Sequence, residues 1–149
     1  MILYHLDKWK YRSVWPPEGT LFANGRWNKP GQWIIYASST ISLAKLEILA
    51  NESSLPVKRI CMTIQIAEKA DIYEIASKDL PENWMEKPYP AILTDFTMKF
   101  INSGRQLMLV PSAQSYREQN YLINVRHPDF HKQVKLLDVA EEPFDSRLK

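Results

Sequence analysis

An α+β domain built on a mixed sheet is the fold predicted for this chain. Strand-like runs outnumber helical ones, and the helical runs do not alternate regularly with them. A doubly wound fold is further disfavoured because no glycine fingerprint for a dinucleotide phosphate is present. At 149 residues the chain fits a single domain, residues 1–149, with enough material for a real core. Apolar residues make up 45%, so the chain folds rather than staying disordered.

Ile2 to Leu6 reads as a first strand. Residues 7 to 31 form a long connection punctuated by Pro16-Pro17, Gly19, Gly25, Pro30 and Gly31. Connections of that length are uncommon in compact domains unless they are functional. Trp33 to Ala37 is an apolar strand. Ser38-Ser39-Thr40 then offers capping oxygens to a helix from Thr40 to Asn51. Three- and four-residue spacing puts Leu43, Leu46, Glu47 and Ala50 on one face of it. Val57 to Ile66 and Ile72 to Ile75 are β-branched strands, and residues 76 to 90, with Pro81, Pro88 and Pro90, read as a surface loop. A second helix is expected over Ala91 to Asn102, with Ile92, Phe96, Lys99 and Phe100 along one side and Gly104 as terminator. Leu107–Val110, Tyr121–Val125 and Val134–Val139 complete the strands.

Net charge is +2, from 19 basic and 17 acidic side chains, a balance that does not demand nucleic acid as a partner. Cys61 is the only cysteine and sits in an apolar run, so it reads as an inert buried thiol. The start, Met1-Ile2-Leu3-Tyr4-His5, lacks the basic region and apolar core of a signal peptide. No apolar run approaches the roughly 20 residues that span a bilayer. A cytoplasmic location without membrane contact is expected. His5, His127 and His131 lack the spacing and cysteine company of a zinc site, so no metal is expected.

The segment Gly25-Arg26-Trp27-Asn28-Lys29-Pro30-Gly31, with Tyr36 and Glu47 downstream, carries the functional signal. A guanidinium fork, an aromatic ring and a carboxylate within about two dozen residues suit an anionic, planar ligand such as a dinucleotide. Read alone, Arg26 fits an acid's partner, a cation stacked on Trp27 or a phosphate ligand, and Tyr36 fits a core ring. Glu47 fits either a solvated edge of the helix or a functional pocket, because a carboxylate beside leucines on the inner face costs several kcal/mol unless it is paired or faces a wet pocket. Ser112, after Pro111, is either a loop cap or a hydrogen-bonding group, and Asn120 and Asn124 suit turns.

Gly25-Arg26-Trp27-Asn28, Pro30-Gly31, Tyr36, Glu47, Pro111-Ser112-Ala113 and Asn120-Tyr121-Leu122-Ile123-Asn124 with His127-Pro128, in this order and spacing, resemble the RES domain family. The resemblance spans about residues 2 to 130. It implies a fold of the ADP-ribosyltransferase type and an NAD-consuming toxin of a bacterial type II toxin–antitoxin pair. Such a toxin cleaves the nicotinamide–ribose bond and passes ADP-ribose to water, phosphate or a protein. It implies NAD as substrate rather than cofactor, and an Xre-type antitoxin as partner, with either a homo-oligomer or a hetero-oligomer with the antitoxin as the assembly. By motif, Glu47, Arg26 and Tyr36 fall on catalytic positions. Arg26, Tyr36, Ser112, His5 and Asn120 fall on NAD-binding ones. The chain departs from the family at His5, where an arginine is usual, and at Val125, where a proline is common. A histidine lacks the fork and the permanent charge of arginine.

Two other readings stay open at this point. One is an ADP-ribosyltransferase acting on a protein. The other is a catalytically impaired or nucleic-acid-binding module, for which Lys8-Trp9-Lys10-Tyr11-Arg12 interleaves cations and rings as single-strand binders do.

Overall fold

The computed structural model describes residues 1–149. Its frame is a seven-stranded sheet of β1 (Ile2–Lys8), β2 (Ile34–Ser38), β3 (Arg59–Ile66), β4 (Ile72–Glu74), β5 (Leu107–Pro111), β6 (Gln119–Asn124) and β7 (Val134–Glu141), in the order β4-β5-β6-β2-β1-β3-β7. Every pair is antiparallel except β4 with β5. The helices are α1 (Gly19–Phe22), α2 (Ile41–Asn51), α3 (Ile92–Asn102) and α4 (Phe130–Gln133). The expected α+β class with a mixed sheet holds.

Strand alternation sorts the apolar side chains onto two faces. Leu3, Ile35, Met62, Ile64, Leu107 and Ile123 build the core on one face, closed by Phe130 of α4. On the other face Ile34, Met108 and Leu122 pack with Leu93 and Phe100 of α3. Farther along that face Leu6 and Cys61 pack against Ala44 of α2. The two clusters on this face are separate, and the space between them is where the site lies.

The sheet is weakest at its centre. β1 registers against β3 over Ile2 to Lys8, whereas β1 and β2 share the single registered pair Tyr4 and Ser38. Beside that pair the His5 ring, not the backbone, reaches Tyr36, with Nδ1 2.7 Å from its carbonyl oxygen.

Several local expectations need correction. The second long strand begins at Arg59 rather than Val57, because Lys58 adopts a left-handed φ of 52° and Val57 is exposed. In α2 the inward residues are Leu43 and Ala44, with Glu47 and Ile48 half-buried beside them, while Leu46 and Ala50 face solvent. The buried side of α3 is Leu93, Thr97 and Phe100, not a stripe through Ile92 and Lys99. Helix spacing alone leaves the centre of an apolar stripe undefined by a residue either way, and sheet contact decides it. The long connection contains α1 and a 3-10 turn at Trp9–Tyr11. Gly104 ends α3 as expected, at φ 74°. No helix is long and apolar enough to cross a membrane.

Candidate active site

A cavity of about 710 Å³ opens between α2, the central strands and the Arg26 loop. That lies within the roughly 300–1,000 Å³ of small-molecule sites. His5, Arg26, Tyr36, Glu47 and Asn120 all line it. Ser112 stands just behind, buried and bonded to Glu47.

Thr40 starts the helix that delivers Glu47; its hydroxyl accepts the Leu43 N–H at 3.1 Å. Glu47 then stands on the inner side of α2 above the ends of β5 and β6. Its Oε1 accepts two hydrogen bonds, from Ser112 Oγ at 2.6 Å and Asn120 Nδ2 at 2.7 Å. Both donors are themselves fixed. Ser112 Oγ accepts the backbone N–H groups of Gln114 and Ser115, so its proton is free for Glu47. Asn120 Oδ1 accepts from Ser38 Oγ at 2.7 Å. Ser38, Asn120, Glu47 and Ser112 therefore form one directed network. Its charge sits on Glu47, and Oε2 keeps no hydrogen bond within the protein. The half-buried carboxylate on a mostly apolar helix face is explained: two donors hold it and a cavity receives it.

Arg26 is positioned by a loop that folds on its own polar groups. The buried Asn28 side chain donates to the carbonyls of Ala23 at 2.9 Å and Lys29 at 3.2 Å. Asn28 Oδ1 accepts from Tyr36 Oη at 2.7 Å, and Tyr36 Oη accepts the Trp27 N–H at 3.1 Å. Gly25 must lack a side chain, since a Cβ there would lie 2.8 Å from both Asn28 Oδ1 and Tyr36 Oη. Burial pushes the Tyr36 phenol well above its ordinary pKa, so it remains a donor to Asn28. Tyr36 thus lines the cavity with its ring and pins the loop with its hydroxyl.

The guanidinium of Arg26 stacks on Tyr89 at 4.5 Å and on Trp84 at 5.6 Å, and donates to the Trp84 carbonyl at 3.0 Å. The rings it uses belong to residues 76–90, not to neighbouring Trp27. That segment, expected as a surface loop, buries Trp84 against Trp27 and forms a wall of the cavity with Lys87, Pro88 and Tyr89. Arg26 makes no ion pair. Stacking worth about 0.5–2 kcal/mol orients the cation and neutralises none of its charge.

His5 joins the cavity from β1. Nδ1 faces the Tyr36 carbonyl, and Nε2 lies 3.5 Å from Asp7 Oδ2. Burial opposes ionisation of Asp7, but the hydrogen bond and charge of His5, the Lys8 N–H and the charge of Arg59 outweigh it and hold the carboxyl below its usual range. Burial also pushes the Cys61 thiol up to about 11, in keeping with an inert thiol under α2.

Ser38, Asn28, Trp84 and Tyr89 escaped the sequence reading as site residues. Ser38 shows there only as a capping serine, and Trp84 and Tyr89 lie in a proline-rich stretch with no period. Asn28 carried a signal, standing two residues after Arg26 within a glycine-bounded loop.

A fold with a carboxylate network and an unpaired arginine facing one cavity defines the class, and comparison with known proteins narrows it. The RES domain family model matches residues 2–146, and the chain belongs to that family. It is similar to the "Toxin Res" of Yersinia enterocolitica serotype O:8 / biotype 1B, 35% identical over 153 residues that span all of both chains. It is also similar to the "Prs ADP-ribosylating toxin" of Sphingobium sp. (strain YBL2), 34% identical over 135 residues, 87% of this chain and 83% of the relative. The fold is shared with a chain in the crystal structure of the M. tuberculosis MbcT–MbcA toxin–antitoxin complex. The TM-score is 0.73 at 16% identity, covering 95% of this chain and 83% of that one.

Proposed function

We propose that the protein is the toxin of a bacterial toxin–antitoxin pair that breaks the nicotinamide–ribose bond of NAD and so drains the cytoplasmic NAD pool. The observation that carries this reading is the pairing of charges in one cavity. Arg26, without a counter-ion, suits the diphosphate, and Glu47, held by two donors on one oxygen, suits a cation that develops during reaction. On this reading Arg26 grips phosphate and the Tyr36 ring packs against nicotinamide. As the C–N bond breaks, its electron pair leaves with neutral nicotinamide, and Glu47 stabilises the oxocarbenium left on the ribose. An oxygen of water or phosphate then bonds to that carbon; for water, the released proton passes to Glu47 or solvent. Ser112 and Asn120 act through Glu47, and Asn120 also borders the substrate. His5 sits where the family's arginine is usual and faces the cavity without a fork.

Transfer to a protein is the second reading, supported by the relative named a Prs ADP-ribosylating toxin. An Xre-type antitoxin that covers the cavity is the proposed partner; the fold's presence in a toxin–antitoxin complex supports an antitoxin as partner. The test is release of nicotinamide from NAD by purified protein, with water alone, with added phosphate and with cell lysate. Release without lysate supports cleavage to water or phosphate. Release only with lysate, with label carried onto a protein, supports the second reading. No release in any arm contradicts both.

A further inference from the structure

The Arg26 wall of the cavity carries a second cation. Lys87 Nζ lies 5.7 Å from the centre of the Tyr89 ring, and the Arg26 guanidinium lies 4.5 Å from the same centre. Lys87, Pro88, Tyr89 and Arg26 all line the cavity. The protein's ion pairs are His5 with Asp7, Lys45 with Glu142, Arg59 with Glu52 and Arg147 with Asp145, so both cations around Tyr89 lack a carboxylate partner. Two like charges gathered on one ring repel each other in the free protein. A ligand that places one negative charge beside each cation, on two phosphates a few ångströms apart, relieves that repulsion; a carboxylate or monophosphate holds its charge at one centre and meets one cation.

We propose that Lys87 and Arg26 form a two-cation clamp around the Tyr89 ring for a diphosphate, and that Lys87 makes the site select a diphosphate over a monophosphate. The proposal rests on the reading of the cavity as an NAD site and adds a residue to it. The division of labour follows from the two head groups. Arg26, fixed by its stacking and by its bond to the Trp84 carbonyl, presents a planar fork to one phosphate. Lys87 is exposed, on a flexible stem at the rim, and supplies a point charge to the second phosphate as it enters. The wall that carries Lys87 and Tyr89 is anchored through Trp84, buried against Trp27, so it is attached to the Arg26 loop itself.

The test measures equilibrium binding, free of turnover, with ADP-ribose as the diphosphate probe and AMP as the monophosphate probe. Lys87→Met keeps the aliphatic stem over Tyr89 and removes the charge. It is expected to weaken ADP-ribose binding about tenfold, the worth of one charge-assisted contact, and to leave AMP binding within about twofold. Lys87→Arg is expected to bind ADP-ribose as the wild type does. Unchanged ADP-ribose affinity in Lys87→Met, alongside a loss in Arg26→Met, overturns the clamp and leaves the NAD reading standing. Equal losses for ADP-ribose and AMP in Lys87→Met overturn the selectivity. Failure of the wild type to bind ADP-ribose overturns the clamp together with the NAD reading.

Discussion

Ser112 and Glu47, 65 residues apart in sequence, meet in a 2.6 Å hydroxyl–carboxylate hydrogen bond. The bond joins the loop after β5 to the inner side of α2, and Asn120 of β6 adds a second donor to the same oxygen. A carboxylate with both donors on Oε1 cannot rotate freely, and it presents Oε2 in a fixed direction. Preorganised charge of this kind is effective because it needs no rearrangement at the moment of reaction.

Ser112→Ala and Asn120→Ala each remove one of these donors. Each is expected to lower kcat for nicotinamide release about tenfold, the worth of a hydrogen bond to a charged group. The double variant should lose less than the product of the two, because both act through one oxygen. Steady-state kinetics with NAD gives the answer. Unchanged kcat in both single variants would show that the orientation of Glu47 does not depend on them.

Tyr36→Phe keeps the ring in the cavity and deletes the hydroxyl that ties Trp27 N–H to Asn28. The Arg26 loop loses its anchor to β2, so KM for NAD should rise several-fold, with a smaller change in kcat. A variant with wild-type KM would mean that the loop holds its shape without the tyrosine.

Gly25→Ala tests the same loop by crowding. The added methyl would lie 2.8 Å from Asn28 Oδ1 and from Tyr36 Oη, so both contacts must open. Overpacking of this sort costs about 1–3 kcal/mol. Lower thermal stability and weaker ADP-ribose binding are expected together. Gly19→Ala is the control, since a Cβ there meets nothing within 4 Å and its backbone is helical. Equal behaviour of the two variants would argue against the close approach at Gly25.

Asp7 gives a pH dependence with a definite sign. Its folded carboxyl is held below the ordinary value, with His5 and Arg59 outweighing burial. The folded state therefore binds this proton less readily than the unfolded chain. Asp7 contributes stability above the unfolded carboxyl's pKa of about 4, and loses it as pH falls through the lower folded value. Denaturant titrations from pH 6 down to pH 3 should show Asp7→Asn losing less stability than the wild type over that fall. Parallel curves would mean that Asp7 is not linked to folding in this range.

Much of the fold was legible in the sequence. Alternating and β-branched runs place all seven strands, and Thr40 and Gly104 mark a helix start and a helix end. The strand boundary at Lys58 was not legible, because a left-handed lysine leaves no trace in composition. Nor was the centre of the α2 face, which contact with β1 and β3 sets. For the site, Arg26, Tyr36 and Glu47 stood out because their types are costly to bury without purpose. Ser38, Trp84 and Tyr89 did not, because each takes its role from a partner far away in sequence: Asn120 for Ser38, Arg26 for the two rings. Residues 76–90 read as solvent-facing from their prolines, yet Trp84 turns inward onto Trp27.

In the proposed mechanism the charge on Glu47 drives cleavage of the nicotinamide–ribose bond. Glu47→Gln isolates that charge, since the amide keeps the shape of the side chain and an oxygen to accept from Ser112 and Asn120. The direct measurement is single-turnover nicotinamide release by wild type and Glu47→Gln, with ADP-ribose affinity measured on both proteins. A fall in rate of about 10²–10³, or roughly 3–4 kcal/mol of transition-state stabilisation, is expected at unchanged ADP-ribose affinity. Release by Glu47→Gln at the wild-type rate would contradict the mechanism.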